Sequence, residues 1–308
     1  KTAYEIVSRD WSSDVCSSDL PVRMPSPVSL LRLLKDEAGT FSQNQRILAR
    51  HVLANYQSVA FATVAQLAPK AGVSEATIVR FAKSLGFSGY PEFQKEIRRL
   101  VRADLRGAER FRLGAEKKPV GQTPLDRITE KERENIAALY QSHDAAAFAG
   151  AVGMLRRASA VVVVGTRSTA PLAYHFGFAL NKIAVNATRI TSITAETYEE
   201  LSRLDRRACV VVIGFPRYLR ELVELLEFAK GRGLATLTIT DSAFSPLRGR
   251  ISLYAPAESA SFVAFHCAPL VLINALVHEL SIADERKTVA ALNRFETVAE
   301  SRNYFVKG

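Results

Sequence analysis

The segment from Val64 to Phe81 constrains this fold more than any other, because its residue types meet the packing demands of two short helices joined by a tight turn. With Gly72 as the turn, Leu67, Ala68 and Ala71 precede it and Val73, Ile78 and Phe81 follow it. That spacing gives each helix one apolar stripe, and the two stripes can bury one another. Ala68 lies where the helices cross most closely, which requires a small side chain. Gly72 suits the left-handed backbone of the turn. Ser74 can cap the second helix by accepting a backbone N–H from its first turn. The exposed N-terminal face of that helix then carries Ser74, Glu75, Ala76, Thr77 and Arg80. In a helix-turn-helix this face enters the major groove of DNA. An ordinary pair of core helices would share the same buried stripes, so the flanking sequence has to weigh in. Pro69 is the poor fit. Inside a helix it removes a hydrogen bond at a cost of about 3 kcal/mol, unless the helix begins late enough to hold it in the first turn.

The flanks favour the DNA-binding alternative. Ser42 to Tyr56 predicts an amphipathic helix, with Ile47, Leu48, Val52, Leu53 and Tyr56 near helical spacing. Gly86 is a C-terminal stop, and Pro91 can open another helix in its favoured first position. From Arg80 to Arg112 the chain carries Arg80, Lys83, Lys95, Arg98, Arg99, Arg102, Arg106, Arg110 and Arg112 against four acids. Such a density suits phosphate contacts and counterion release from a duplex. A charge run alone is usually a solvated helix face, so its weight comes from lying beside the helix pair.

The run Ala71-Gly72-Val73-Ser74-Glu75-Ala76-Thr77-Ile78-Val79-Arg80-Phe81, followed by Leu85-Gly86-Phe87-Ser88-Gly89-Tyr90, resembles the signature of RpiR/MurR-type bacterial transcriptional regulators. The resemblance extends from about Pro27 to the C-terminus. It implies an N-terminal all-α helix-turn-helix domain joined to a C-terminal sugar isomerase (SIS) domain, an αβα unit. It also implies a cytoplasmic regulator with double-stranded operator DNA as a partner, an acidic carbohydrate effector such as a sugar phosphate, and a homodimer or homotetramer. Ser74, Glu75, Thr77, Arg80 and Lys83 are the candidates for DNA contact.

Composition agrees with two folded domains. The 308 residues are 48% hydrophobic and 23% charged, which excludes a disordered chain. A net charge of +10 favours a polyanionic partner or an anionic ligand. Cys16, Cys209 and Cys267 are far apart, with no metal-ligand or redox spacing. Cys209 and Cys267 lie in apolar runs and are expected as buried thiols. No apolar stretch reaches the roughly 18–20 residues of a membrane span. Residues 1–23 stand apart: Ser12-Ser13-Asp14-Val15 recurs as Ser17-Ser18-Asp19-Leu20, and Ser8 to Leu20 resembles translated sequencing-adapter DNA. Met24 is then the expected natural start, with a genuine disordered arm as the alternative. The expected layout is a leader at 1–23, the DNA-binding domain at 27–103, a linker at 104–124, the SIS domain at 125–290 and a tail at 291–308.

After a helix over Leu125–Gln141, apolar β-rich runs alternate with helical patterns. Strands are expected at Ala160–Gly165, Ala187–Thr191, Ala208–Gly214, Ala235–Thr240 and Ile251–Tyr254. Helices are expected near Ala170–Ile183, Ala195–Leu204, Leu219–Arg232 and Phe262–Ser281. This pattern predicts an α/β domain with a parallel five-stranded sheet covered on both faces. Ligands of such sheets bind beyond the carboxyl ends of the strands.

Three loops leave those ends. In Gly165-Thr166-Arg167-Ser168-Thr169, hydroxyls and N–H groups at a helix start can hold an anion and Arg167 adds charge, although Gly and Ser also serve turn geometry there. The resemblance makes it the first SIS ligand loop. The second, Gly214-Phe215-Pro216-Arg217-Tyr218-Leu219, departs from the hydroxyl-rich stretch usual in SIS domains. Arg217 can clamp a phosphate or carboxylate, and Tyr218 can stack or donate a hydrogen bond. Equally, this pocket has lost its ligand and serves the dimer. The third, Thr240-Asp241-Ser242, matches the family. Gly165, Arg167, Ser168, Thr169, Arg217, Thr240 and Ser242 are the effector-site candidates, with no cofactor and no metal. Acid/base candidates are His175, Glu196, Glu200, His266, His278 and Glu279, but no paired constellation emerges and an enzyme is not expected. An SIS enzyme retaining a DNA-binding domain is the alternative.

Overall fold

The structure, a computed structural model, describes residues 34, 41–104, 121–243, 245–259, 263–264 and 266–306. The expected leader and residues 105–120 of the expected linker lie outside the described residues.

Among the described residues, the N-terminal unit runs α1 (Gln43–Val59), α2 (Val64–Ala71), α3 (Glu75–Ser84) and α4 (Tyr90–Asp104). Local chemistry sets their starts. Ser42 and Gln45 satisfy one another's backbone N–H groups in a capping box at α1, and Thr63 and Gln66 do the same at α2. Gly72 ends α2 at φ +68°, the left-handed value its position requires. Because α2 begins at Val64, Pro69 sits in its interior and not in the first turn. Pro69 and Ala65 both face solvent, so the Ala65 carbonyl that lacks its helical donor stays wet. That position is what lets the chain tolerate the proline.

Phe81 organises the core of this unit. It is fully buried and meets Phe41 and Phe93 edge-to-face, with ring centroids 5.4 and 6.0 Å away. Helix α4 is fastened to the turn between α1 and α2 by side chains that satisfy its carbonyls. Tyr90 Oη donates to the Ala62 carbonyl at 2.7 Å, and Arg98 Nε donates to that of Ala60 at 2.7 Å. Without such donors these buried carbonyls would each cost about 1–3 kcal/mol.

The second unit runs α5 (Pro124–Ser142), α6 (Ala145–Arg157), β1 (Val161–Val164), α7 (Ala170–Lys182), β2 (Ala187–Ile190), α8 (Ala195–Arg203), β3 (Cys209–Ile213), α9 (Arg220–Gly231), β4 (Ala235–Thr240), β5 (Ile251–Tyr254), α10 (Cys267–Ala283) and α11 (Glu285–Ser301). All strand pairs are parallel, in the order β2-β1-β3-β4-β5. Alternation within the buried strands sorts the core into two layers. Val161, Val163, Cys209, Val211 and Ile213 join α7 and α10 on one face, whereas Val162, Val164, Val210 and Val212 join α8 and α9 on the other.

Two segments depart from expectation. Helix α6 covers residues with no predicted element, and α11 occupies much of the segment expected as a tail. Asp284 caps α11, and the Thr288 hydroxyl donates to the Ser281 carbonyl at 3.1 Å, fixing a 104° bend after α10. Cys267 is exposed, not buried as expected, because α10 starts at that residue. Among the described residues no single helix is long and apolar enough to cross a membrane. Only α10 and α11 taken together pass by length and composition.

Candidate functional site

Helix α3 presents a mixed face. Glu75, Arg80 and Lys83 are exposed and free to meet a groove. Thr77 is not: it is 7% exposed, its N–H donates to Ser74 Oγ at 3.2 Å, and its hydroxyl pairs with the same atom at 2.9 Å. Ser74 and Thr77 therefore fasten the start of the helix, and Thr77 is unsuited to base contact. Among the described residues, the basic run behind the motif is thinner than its sequence implies. Lys95 is exposed, but Arg98 is bonded to the Ala60 carbonyl and Gln94, and Arg99 is taken into the protein.

At the carboxyl edge of the sheet, strand order reverses between β1 and β3. Ligands of such sheets bind beyond the strand ends at a switch point of this kind. The first two candidate loops flank it. Gly165 ends β1 where a Cβ would lie 2.8 Å from the Thr169 carbonyl oxygen, and Gly214 ends β3 against Leu247 and Leu222. Both loops then enter left-handed backbone at an arginine, with φ +53° at Arg167 and +67° at Arg217. Non-glycine residues pay about 1–3 kcal/mol to sit there, and such strain concentrates at functional sites. Both side chains are exposed, as is Ser168. Thr166 Oγ1 donates to Glu221 Oε1 at 3.1 Å, tying the first loop to the start of α9.

Two expected ligand hydroxyls are structural instead. Thr169 is 4% exposed and donates to the Thr166 and Ile213 carbonyls, stitching the first loop to β3. Thr240 is fully buried, bonded to Ser245 Oγ at 2.8 Å and to Asp241. Ser242 lies beside it, half-buried.

A network missed from the sequence crosses between the two units. Arg99 Nη1 donates to Tyr218 Oη at 2.5 Å and to Asp241 Oδ2 at 2.7 Å, while Nε and Nη2 donate to Glu96. Tyr218 Oη donates to Asp241 Oδ1, so of its two expected roles the phenol takes the hydrogen bond, with a protein carboxylate as the acceptor. Side-chain exposures of 15% for Arg99, 8% for Asp241 and 5% for Glu96 put these charges out of water. Burial pushes the Glu96 carboxyl up to about 7, against the pull of Arg99. Burial also works against the Arg99 charge, but Asp241, Tyr218 and Glu96 together hold it above its ordinary value. Burial and the adjacent Asp241 raise the Tyr218 phenol well above the usual range, so it remains a donor. In sequence, Arg99 was one more cation in a basic run, and nothing marked it out.

The acid/base candidates scatter. His175 Nε2 bonds Asn274 Oδ1 at 2.7 Å between α7 and α10, and Glu196, His278 and Glu279 are exposed. His266 is the exception. It lies against the ring of Phe215 in the second loop, where burial lowers its pKa and Glu132 opposes that shift. Glu132 Oε1 accepts from the Cys267 N–H at 3.2 Å.

Residues 28–101 match the helix-turn-helix domain of the rpiR family, and residues 154–279 match the SIS domain. The helix-turn-helix unit of this chain belongs to the rpiR family. The chain is a helix-turn-helix transcriptional regulator that carries a SIS domain. The uncharacterized HTH-type transcriptional regulator YfhH of Escherichia coli (strain K12) is 27% identical over 272 residues, spanning 83% of this chain and 95% of its own. Among solved structures, the RpiR transcription factor of Sphaerobacter thermophilus (sugar isomerase domain) is 24% identical with a TM-score of 0.56, covering 57% of this chain and 99% of that one. The Vibrio vulnificus NanR protein complexed with ManNAc-6P is 20% identical with a TM-score of 0.56, covering 88% of this chain and 98% of that one. Both share with this chain the fold of an SIS domain, and the second spans the helical unit as well.

Proposed function

We propose that this regulator senses an acidic carbohydrate metabolite at the β1–β3 switch point and binds operator DNA through Glu75, Arg80 and Lys83, with Ser74 available to a phosphate. One observation carries the sensing role: two exposed arginines, Arg167 and Arg217, held in left-handed backbone on the two loops that flank the switch point. Guanidinium groups suit a phosphate or carboxylate, which they can meet with two parallel N–H donors. Ser168, Ser242 and the backbone around Gly165 complete the proposed site, with Thr169 and Thr240 shaping it from beneath. That NanR was solved with ManNAc-6P supports a sugar phosphate as the class. The SIS domain binds without turnover, and the chain works as a homodimer or homotetramer, in keeping with the two-fold symmetry of most helix-turn-helix operators. The proposed domains are 27–103 and 125–290, with α11 completing the second.

The test is a thermal-shift screen of sugar phosphates, ManNAc-6P among them, and sugar acids, with turnover followed on every ligand that stabilises. A ligand should raise the melting temperature and stay intact. A second reading, an SIS isomerase, draws on His266 and Glu132 beside the second loop. Conversion of a stabilising ligand, abolished by His266→Ala, would establish it in place of pure sensing. If no acidic metabolite stabilises the protein, the sensing role fails.

A further inference from the structure

The network around Arg99 joins two things that the proposed function treats apart. One end is α4, which packs on the recognition helix through Phe93 against Phe81. The other end is the pair of loops at the sheet edge: Tyr218 follows Arg217 directly, and Asp241 lies between Thr240 and Ser242. One guanidinium group therefore holds the residue next to the proposed anion clamp and the acid of the third loop at the same time. Asp241 is a buried carboxylate at an edge proposed to receive an anion, and an unpaired carboxylate there would repel that anion. Arg99 neutralises it, and the Tyr218 hydroxyl satisfies its other oxygen.

We propose that Arg99 of the DNA-binding unit is a positioning residue of the effector site: by bridging Tyr218 and Asp241 it sets both loops and cancels the Asp241 charge, so that an anionic effector binds best when α4 is docked. This inference rests on the sensing reading above. Its consequence is reciprocal. An effector that prefers the docked state stabilises that state, and whatever α4 docking does to the recognition helices is transmitted to DNA affinity by the same factor. The anion need not touch the DNA-binding unit at all.

The experiment uses the full chain, with inorganic phosphate and ManNAc-6P as probes. Calorimetric titration gives anion affinity, and hydrogen exchange at the amides of Glu96–Leu100 and Phe215–Leu219 reports docking. Arg99→Met should weaken anion binding by about tenfold or more, within the range of allosteric couplings, and should raise exchange in both segments. Asp241→Asn alters only the SIS side, and should raise exchange in the α4 segment without touching the DNA-binding core. The double variant separates charge from scaffolding. With the Asp241 charge gone, Arg99→Met/Asp241→Asn should recover most of the lost affinity while both segments remain fast-exchanging. A purely structural Arg99 would show no such recovery. Anion binding that survives Arg99→Met unchanged overturns this inference alone. Absence of anion binding by the wild type overturns the sensing reading and this inference with it.

Discussion

Phe81 and Arg80 are neighbours in sequence, yet replacing them should break different things. Phe81→Ala removes a fully buried ring and leaves a cavity between Phe41 and Phe93. Buried Phe→Ala changes cost about 3–5 kcal/mol, and two lost edge-to-face contacts place this one in the upper part of that range. A unit of about 60 residues has roughly 3–9 kcal/mol of stability in all, so half or more would go. At about 4–8 °C per kcal/mol, the melting transition of the N-terminal unit should fall by about 16–40 °C. Arg80 is exposed on α3 and buries nothing, so Arg80→Ala should leave that transition within about 2 °C. Its effect should appear in a gel-shift titration, as a loss of about 1–3 kcal/mol if it reads a base edge. Calorimetry and gel shifts on both variants decide the matter. If Phe81→Ala melts with the wild type, the core described around it is wrong. If Arg80→Ala keeps full operator affinity, the orientation assigned to α3 is wrong.

For the proposed effector site, Arg217→Ala should remove most of the thermal protection given by a sugar phosphate, and Ser168→Ala less, since a neutral hydrogen bond contributes about 0.5–1.5 kcal/mol against about 1.5–3 for a charged one. Equal losses would argue against a guanidinium clamp. Glu96 predicts a pH effect. Its folded carboxyl sits near 7 against an ordinary 4.5, so the stability it lends is complete below about 4.5 and fades as pH rises through 7, by at most about 3 kcal/mol. Glu96→Gln should flatten urea-derived stability between pH 5 and pH 8, and an unchanged slope would refute that origin. Burial pushes the Cys209 thiol up to about 12, whereas Cys267 is exposed. Alkylation of the native protein should therefore label Cys267 and spare Cys209, as peptide mass mapping would read directly.

The strands were legible because Val161–Val164 and Cys209–Ile213 are short, wholly apolar and punctuated by glycine. The observed sheet differs from the expected spans only at their ends. The helix pair was legible because Gly72 and Ser74 are residues whose backbone roles are nearly forced. Helix α6 was not, since Ala145–Arg157 is largely alanine and glycine and lacks a strong apolar stripe. At the site, sequence position identified the loops but not the direction of their side chains. Thr169 and Thr240 have the right chemistry for a ligand, yet each turns its hydroxyl to a protein atom. Arg99 was hidden for a different reason. Its partners lie 119 and 142 positions away, and no local pattern encodes a contact of that range.

The parallel sheet has one further consequence. Every strand delivers its carboxyl end to the same edge, so the proposed recognition chemistry hangs on the exposed positions of short loops, while buried neighbours such as Phe215 belong to the core. Arg167, Ser168 and Arg217 can each change without disturbing the valines below them. Under the proposed function, one metabolite could be exchanged for another by rewriting a few exposed loop positions without touching the glycines and threonines beneath them. Diversification of ligand and conservation of architecture are, in this arrangement, written into separate residues.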